Sequence, residues 1–325
     1  MTPSQLDQPA FLMNLPACCS VESPDCKSTE DIPGLGHQGD RAKAMQQFFE
    51  VYQYLSTRAL VTLLPTPLNW GLQDLLFAAN LGFIPEHLAR HRVVILSQFS
   101  SPQRIGKALI GKRFFEEMDY EVHLCPFPFE GESDLKYLYG NIYVGRYGQR
   151  SSRKAYDWME SEFGIRVIKV RERNPYCGDF DCSVFSVTGD RTLVATLLFS
   201  RMELRALEAV TEIIPVNKHF AMMGGCNSVM LGGTWLSGTI IDDLPRSHSF
   251  YRPEKEKNWA LERLAGRMAK NLKLFNLSRF QKKGACLSCL ILHLNRAGYH
   301  PRAYAPAGPR VLRAQPEATL TARVA

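Results

Sequence analysis

The sequence predicts an α/β fold made of repeated strand–helix units set around an axis. Three observations lead there. Short apolar runs with the length of buried strands alternate with segments of helical period. Several of these runs break at a turn signal and resume as a second strand, as in Phe185-Ser-Val-Thr-Gly-Asp-Arg-Thr-Leu-Val and Val229-Met-Leu-Gly-Gly-Thr-Trp-Leu. A polar residue followed by an apolar strand recurs five times, near Asp74, Asp134, Asp181, Cys226 and Cys289, at intervals of 45–63 residues.

The elements follow in order. Residues 1–40 hold Pro, Ser, Asp and the clustered Cys18, Cys19 and Cys26, and read as an irregular segment in which only Phe11–Leu15 is strand-like. Asp40 can cap a helix whose apolar positions are Met45, Phe48, Phe49, Tyr52 and Leu55. Ser101-Pro102 is a favourable N-cap and N1 pair for a second helix running to about Met118. A third starts near Ser152 with Trp158, Met159 and Phe163 on its apolar side, and a fourth covers about Met202 to Glu212. The last, over about 254–270, sets Leu261, Leu264 and Met268 on one stripe. Between them, Val93–Leu96, Asn141–Val144, Cys182–Val187, Leu193–Leu198, Ser228–Leu231 and Leu290–Leu294 read as buried strands. Residues 41–298 are thus expected to form one domain, followed by a disordered basic tail over 299–325 with no hydrophobic period.

Composition narrows the function. With 325 residues, 45% hydrophobic and 22% charged, the chain can bury a substantial core. The net charge of +7 owes part to Arg302, Arg310, Arg313 and Arg323 in the tail, so it reads as a solvated basic end rather than a nucleic-acid surface. No apolar stretch approaches the ~18–20 residues that span a bilayer. The N-terminus shows no basic region leading into a long apolar run. Nine cysteines, scattered without a framework, fit reduced thiols and a cytoplasmic location.

Four segments carry the chemistry: Asp74-Leu-Leu-Phe-Ala-Ala-Asn80, Phe129-Glu-Gly-Glu-Ser-Asp134, Asp179-Phe-Asp181 and Gly284-Ala-Cys-Leu-Ser-Cys289. Carboxylates that converge on one pocket suit a planar, permanently cationic guanidinium, which they bind in a bidentate manner. A thiolate beside that pocket can attack the guanidinium carbon held there. Cys286-Leu-Ser-Cys289 is formally a CxxC, but it leads into a strand rather than a helix, and Cys177 with Cys182 is the sole loose candidate for completing a zinc site. Gly224-Gly225 and Gly232-Gly233 read as hairpin punctuation rather than a phosphate loop. No metal or cofactor is expected.

These segments, in this order, resemble the superfamily of arginine deiminases, dimethylarginine dimethylaminohydrolases, arginine and succinylarginine dihydrolases and arginine amidinotransferases. The resemblance covers roughly residues 60–295. It rests on Leu72-Gln-Asp-Leu-Leu-Phe-Ala-Ala-Asn-Leu-Gly, on Phe129-Glu-Gly-Glu-Ser-Asp with Val144-Gly-Arg-Tyr-Gly-Gln-Arg-Ser-Ser, and on Asn276 to Leu290. It implies a five-bladed α/β propeller, the pentein fold. It also implies roles. Cys289 resembles the nucleophile, Glu130 the carboxylate partner of a catalytic histidine, and Asp181 the acid that grips the guanidinium. Asn80 stands where double-hydrolysis members have Asn, Arg150 where an arginine holds the substrate carboxylate, and Asp74 near the substrate's amino end. Asp134 joins the substrate-binding set as a further carboxylate.

One departure stands out. The family's His-x-Asp is Asp179-Phe-Asp181 here, so Asp179 takes the acid/base position. His293 is roughly 13 Å beyond Cys289 along a strand, too far for a hydrogen bond to it. The family's first Asn-Pro motif has its nearest counterpart in Asn14-Leu-Pro16. The implied activity is hydrolysis of a C–N bond in an arginine-like guanidino compound through a covalent Cys289 adduct. Amidino transfer through the same adduct, or a binding protein that has lost the histidine, are the alternatives. The expected partner is a small guanidino or amino-acid substrate, with a homo-oligomer left open.

Overall fold

The structure is a computed structural model, and it describes residues 1–16, 40–65, 73–100, 104–173, 180–281, 286–297 and 299, with backbone alone at positions 40, 73 and 74. Its strands form five sheets of three strands, all built to one plan. A first strand runs antiparallel to the middle strand, and a helix then crosses over to a third strand parallel to the middle one. The sheet of β3 (Gly82–Phe83), β4 (Val93–Leu96) and β5 (Glu121–Leu124) is crossed by α2 (Ile105–Glu117). Next come β6 (Leu135–Tyr139), β7 (Ile142–Tyr147) and β8 (Arg166–Arg171), with α3 (Arg153–Phe163). Then follow β9 (Val184–Thr188), β10 (Arg191–Val194) and β11 (Glu212–Pro215), with α4 (Arg201–Glu208). The short α5 (Lys218–Met222) leads to β12 (Ser228–Leu231), β13 (Thr234–Thr239) and β14 (Asn271–Asn276), with α6 (Tyr251–Arg267).

The remaining sheet joins the two ends of the described chain. Its middle strand β1 (Ala10–Met13) pairs in parallel with β2 (Leu60–Leu63) across α1 (Asp40–Ser56). Its first strand is β15 (Leu292–Asn295), antiparallel to β1 and reached after the single turn α7 (Ser278–Gln281). The segment expected to be irregular therefore supplies a central strand, fully buried from Ala10 to Met13. Residues 17–39, including Cys18, Cys19 and Cys26, lie outside the described residues.

Five apolar clusters link the sheets in a closed cyclic order. Ala10 and Leu12 of β1 pack with Val94 and Leu96 of β4. Phe83 and Ile95 pack with Leu135 and Tyr143, and Val144 and Val170 with Val184 and Val194. Phe185 and Leu193 pack with Met230 and Trp235, and Val229 and Phe275 return to Phe11 and Met13. Alternation along each strand makes this ring work: successive residues of β1 face opposite neighbours, so one strand serves two clusters.

Most elements fall where the sequence places them, and the exceptions have local causes. The fourth helix ends at Glu208 rather than Glu212, because Glu212-Ile-Ile-Pro enters β11, where β-branched residues suit an edge of pleated sheet. Its start is fixed by a capping box between Ser200 and Glu203. The run Leu193–Leu198 stops as a strand at Val194 and turns at Thr196–Leu198. Residues 101–103, the expected start of the second helix, lie outside the described residues, and α2 is regular from Ile105. Of the expected tail over 299–325 only Tyr299 is among the described residues. Tyr299 packs its ring on Tyr137 and shares a hydrogen bond with Ser186 at 2.9 Å.

Candidate active site

Each first strand is preceded by a tight turn, and these turns carry the candidate site residues. Ala78–Leu81 precedes β3, Gly131–Ser133 precedes β6, Phe180–Cys182 precedes β9 and Ser288–Leu290 lies just before β15. Ahead of β12 the same place is held by Cys226 and Asn227. The turn before β3 packs against both the turn before β6 and the turn before β15. Gly131 makes the first of these contacts feasible. At φ +63°, a Cβ there would sit 2.4 Å from the Ala79 carbonyl oxygen, so only glycine lets the two turns meet.

That meeting joins Asn80 to Glu130. The Asn80 amide donates to Glu130 Oε2 at 3.1 Å, and Arg104 Nη1 donates to the same oxygen at 2.8 Å. Burial pushes the Glu130 carboxyl up, while Arg104, Arg150 and Lys107 draw it back toward ionisation. Lys107 is itself buried, its ammonium over the ring of Phe99 at 5.6 Å. Arg150, expected as a substrate clamp, thus lies within electrostatic reach of Glu130.

The thiol half of the site is built on Asp181. Its Oδ2 accepts from Ser288 Oγ at 2.6 Å and from Cys289 Sγ at 3.2 Å. Lys136 Nζ stands 3.9 Å from the same oxygen. Asn227 donates from Nδ2 to Cys289 Sγ at 3.2 Å and accepts the Ser288 backbone N–H at 2.7 Å. Asp181, Asn227 and Cys289 are all buried. The sequence reading names Asp181 and Cys289 as candidates and sets a unit boundary at Cys226, one residue short of Asn227. The signal was present: Asn227 is the polar residue immediately before a strand, like Asp134. Ser288 and Arg104 carried no such mark.

Asp134, expected among the substrate-binding residues, is held by Arg146 and Ser151. Arg146 donates to its Oδ1 from Nε at 3.1 Å and Nη2 at 2.9 Å, and Ser151 Oγ donates to its Oδ2 at 2.7 Å. Both oxygens accept hydrogen bonds from within the protein, and Ser151 in turn accepts the Glu130 backbone N–H at 3.1 Å. Asp134 therefore braces the turn that aims Glu130. Asp74 lies on the turn Gln73–Leu76, whose Leu75 carbonyl accepts from Asn14 Nδ2 at 3.0 Å; its side chain, like all of Asp179 and Cys177, is outside the described residues. Among the described residues no three metal-capable side chains converge, and no helix is long and apolar enough to cross a membrane.

The next carboxylate along the same turn serves a separate cluster. Glu132 Oε2 pairs with His293 Nδ1 at 2.8 Å, and Oε1 with Arg296 Nη2 at 2.7 Å. His293 is thus engaged away from the thiol, as its strand position requires. This cluster borders a cavity of about 720 Å³, open mouth included, which touches Asp181 and Ser288 but is lined by none of Asn80, Glu130, Arg104 or Cys289. Burial alone would raise the Glu132 carboxyl; Arg296 and His293 outweigh it and hold the group at about 2, below its ordinary 4.5. A depressed folded-state value stabilises fully above pH 4.5, and that contribution is lost as pH falls through about 2. His293 is lowered, first by burial, so its contribution is present above 6.5 and also fades on acidification. Glu132→Gln should therefore cost about 3 kcal/mol at neutral pH, because buried Arg296 is left with the longer contact to Glu86 at 3.8 Å, and should flatten the acid limb below pH 4.5. Urea unfolding of both proteins at pH 7 and pH 4 checks this, and equal stabilities at pH 7 would refute it.

No family model matches the chain. Over 143 residues it is 32% identical to the bifunctional arginine dihydrolase/ornithine cyclodeaminase AgrE of Nostoc sp. (strain PCC 7120 / SAG 25.82 / UTEX 2576). That match takes in 43% of this chain, and the chain spans only 19% of that relative's length. Two solved structures of the N-terminal domain of ArgZ, an arginine dihydrolase from the ornithine–ammonia cycle in cyanobacteria, superpose with TM-scores of 0.74 and 0.73. One is bound to product and the other covalently to a reaction intermediate; each is 21% identical, with 90% of this chain and 98% of that one covered. A dimethylarginine dimethylaminohydrolase adduct with S-methyl-L-thiocitrulline superposes with a TM-score of 0.64 at 15% identity, covering 88% of this chain and 99% of that one. The chain accordingly has the fold of the guanidine-modifying enzymes, the superfamily its motifs resemble.

Proposed function

We propose that this chain hydrolyses a C–N bond of an arginine-like guanidino substrate through a covalent adduct on Cys289. The observation that carries the reading is the contact of Asp181 with both Ser288 and Cys289, which sets an acceptor for a cationic guanidinium beside a thiol. The five sheets are read as blades of a propeller spanning residues 41–298 together with β1, with the turns before the first strands at one end of its axis. A cytoplasmic location and a possible homo-oligomer belong to the same reading.

In this mechanism Asp181 and Glu130 orient the guanidinium, with Asn80 holding Glu130 in place. Cys289 gives up its proton and its sulfur bonds to the guanidinium carbon. One C–N bond of that carbon then breaks, the departing nitrogen leaves as ammonia with a proton, and an S-linked amidine cation remains on the enzyme. Water adds to the same carbon and the C–S bond breaks, returning the sulfur's electron pair to Cys289. Loss of one nitrogen yields the ureido product, and a second round of hydrolysis would yield the amine. Asp179, at the family's histidine position, is the proposed carrier of these protons, and Asp74 and Arg150 the proposed contacts for the substrate's amino-acid end.

Incubation with L-arginine, scored for ammonia, citrulline and ornithine, tests the reading. Asp179→Asn should lose about 100-fold in kcat, and Asp179→His should recover turnover. Absence of any product from arginine and its common analogues would refute hydrolysis. Tight, saturable arginine binding without product would favour the second reading, a binding protein, for which the engagement of His293 by Glu132 speaks.

A further inference from the structure

We infer that Asn227 is a positioning residue for the nucleophile, its side-chain N–H holding the Cys289 sulfur ready as a thiolate. The inference rests on the hydrolase reading only in taking Cys289 as the reacting thiol. The direction of the Asn227 amide is fixed by its other end. The Ser288 backbone N–H lies 2.7 Å from Oδ1 and can only donate, so that atom must be the oxygen, and the NH2 group faces Cys289 Sγ at 3.2 Å. The same NH2 lies 3.8 Å from Cys182 Sγ, so it sits between two sulfurs.

This donor matters because of what else surrounds the sulfur. Asp181, on the turn before β9, accepts from Cys289 Sγ at 3.2 Å. Once that proton leaves, a thiolate and a carboxylate face each other at this distance, and the pair is repulsive. Lys136 from β6 lies behind Asp181, 3.9 Å from its Oδ2, and offsets that charge in part. Among the described residues the thiols of Cys182 and Cys226 also face Asp181; burial pushes Cys226 far up, with Asp181 adding to it, so that thiol stays neutral. An N–H donated to the sulfur is stronger to a thiolate than to a thiol, and so favours the reactive form. Asn is suited to this place because one side chain must both accept from the Ser288 N–H and donate to the sulfur. Being fully buried, Asn227 offers that donor without water competing for it.

The test reads the thiol without substrate. The full chain is alkylated with iodoacetamide from pH 5.5 to 9.5 (a range that brackets an ordinary thiol), and the Cys289 peptide is quantified by mass spectrometry. In Asn227→Ala the midpoint of the rate profile should move up by about one unit, which is about tenfold slower labelling at pH 7. Asn227→Asp keeps the shape and the acceptor for Ser288, so a residue that only supports the turn would tolerate it, whereas a thiolate donor would not. If Asn227→Ala fails to fold, the Asp variant alone decides. Midpoints equal to wild type in the folded variants overturn the inference. An unshifted profile in a chain that turns over arginine sinks this inference alone, and a shifted profile in a chain without turnover sinks the hydrolase reading alone.

Discussion

Replacing Cys289 by Ala or Ser is expected to lower arginine turnover by at least about 1000-fold, the scale on which loss of a covalent nucleophile is felt. Serine retains the shape but offers an alcohol that stays protonated at neutral pH. The fold should tolerate either change, because Cys289 is a small side chain outside the apolar cluster that holds its neighbours Leu287 and Ile291. Mass spectrometry on wild type quenched during turnover should find the amidine adduct on the Cys289 peptide, absent in the variant. Cys226→Ala provides the contrast. That thiol is buried beside Asp181 and held neutral, so its loss should leave turnover within a fewfold of wild type. Turnover that survives in Cys289→Ala and disappears in Cys226→Ala would put the nucleophile on the wrong turn and end the assignment.

Asp181→Asn is expected to cost at least about 100-fold in kcat/KM, by analogy with removing one preorganised electrostatic contact in a buried site. A single Asp181 oxygen accepts from both Ser288 and Cys289, at 2.6 and 3.2 Å. An amide has one acceptor oxygen and no negative charge. If its oxygen stays with Ser288 and Cys289, the guanidinium meets an NH2 group; if it turns, two donors lose their acceptor. Either way the cation is no longer neutralised. A stability loss of about 1–3 kcal/mol should accompany the change if the amide turns, since buried donors then lose their acceptor. Steady-state kinetics with arginine and a thermal melt read the two effects separately. Turnover within a fewfold of wild type would show that Asp181 does not hold the substrate, whatever the melt shows.

Much of this site could be read from neighbours along the chain. Asp134, Asp181 and Cys289 stand just ahead of strands, and that pattern is local: a polar residue, then a short apolar run; Asn80 and Glu130 are marked by the family resemblance alone. The hairpins at Gly189-Asp190 and Gly232-Gly233 are local as well, since loop length and turn residues set their register. Where reading by runs overshot, as at Leu193–Leu198, periodicity could not separate a strand from the turn that follows it.

What the sequence determined by itself is therefore the set of secondary elements, their repeat and the residue types that open each repeat. Only the tertiary structure decided which partners each of those residues meets. Asp134 and Asp181 read alike in sequence, each an acid before a strand, yet Arg146 and Ser151 take up both oxygens of Asp134 while Asp181 meets the thiol. Glu130 and Glu132 are two residues apart, and one joins Asn80 while the other binds His293. The physical reason is distance along the chain. Ser288 meets Asp181 across 107 residues and His293 meets Glu132 across 161, pairings set by how the sheets close on one another rather than by any period within a turn or a strand.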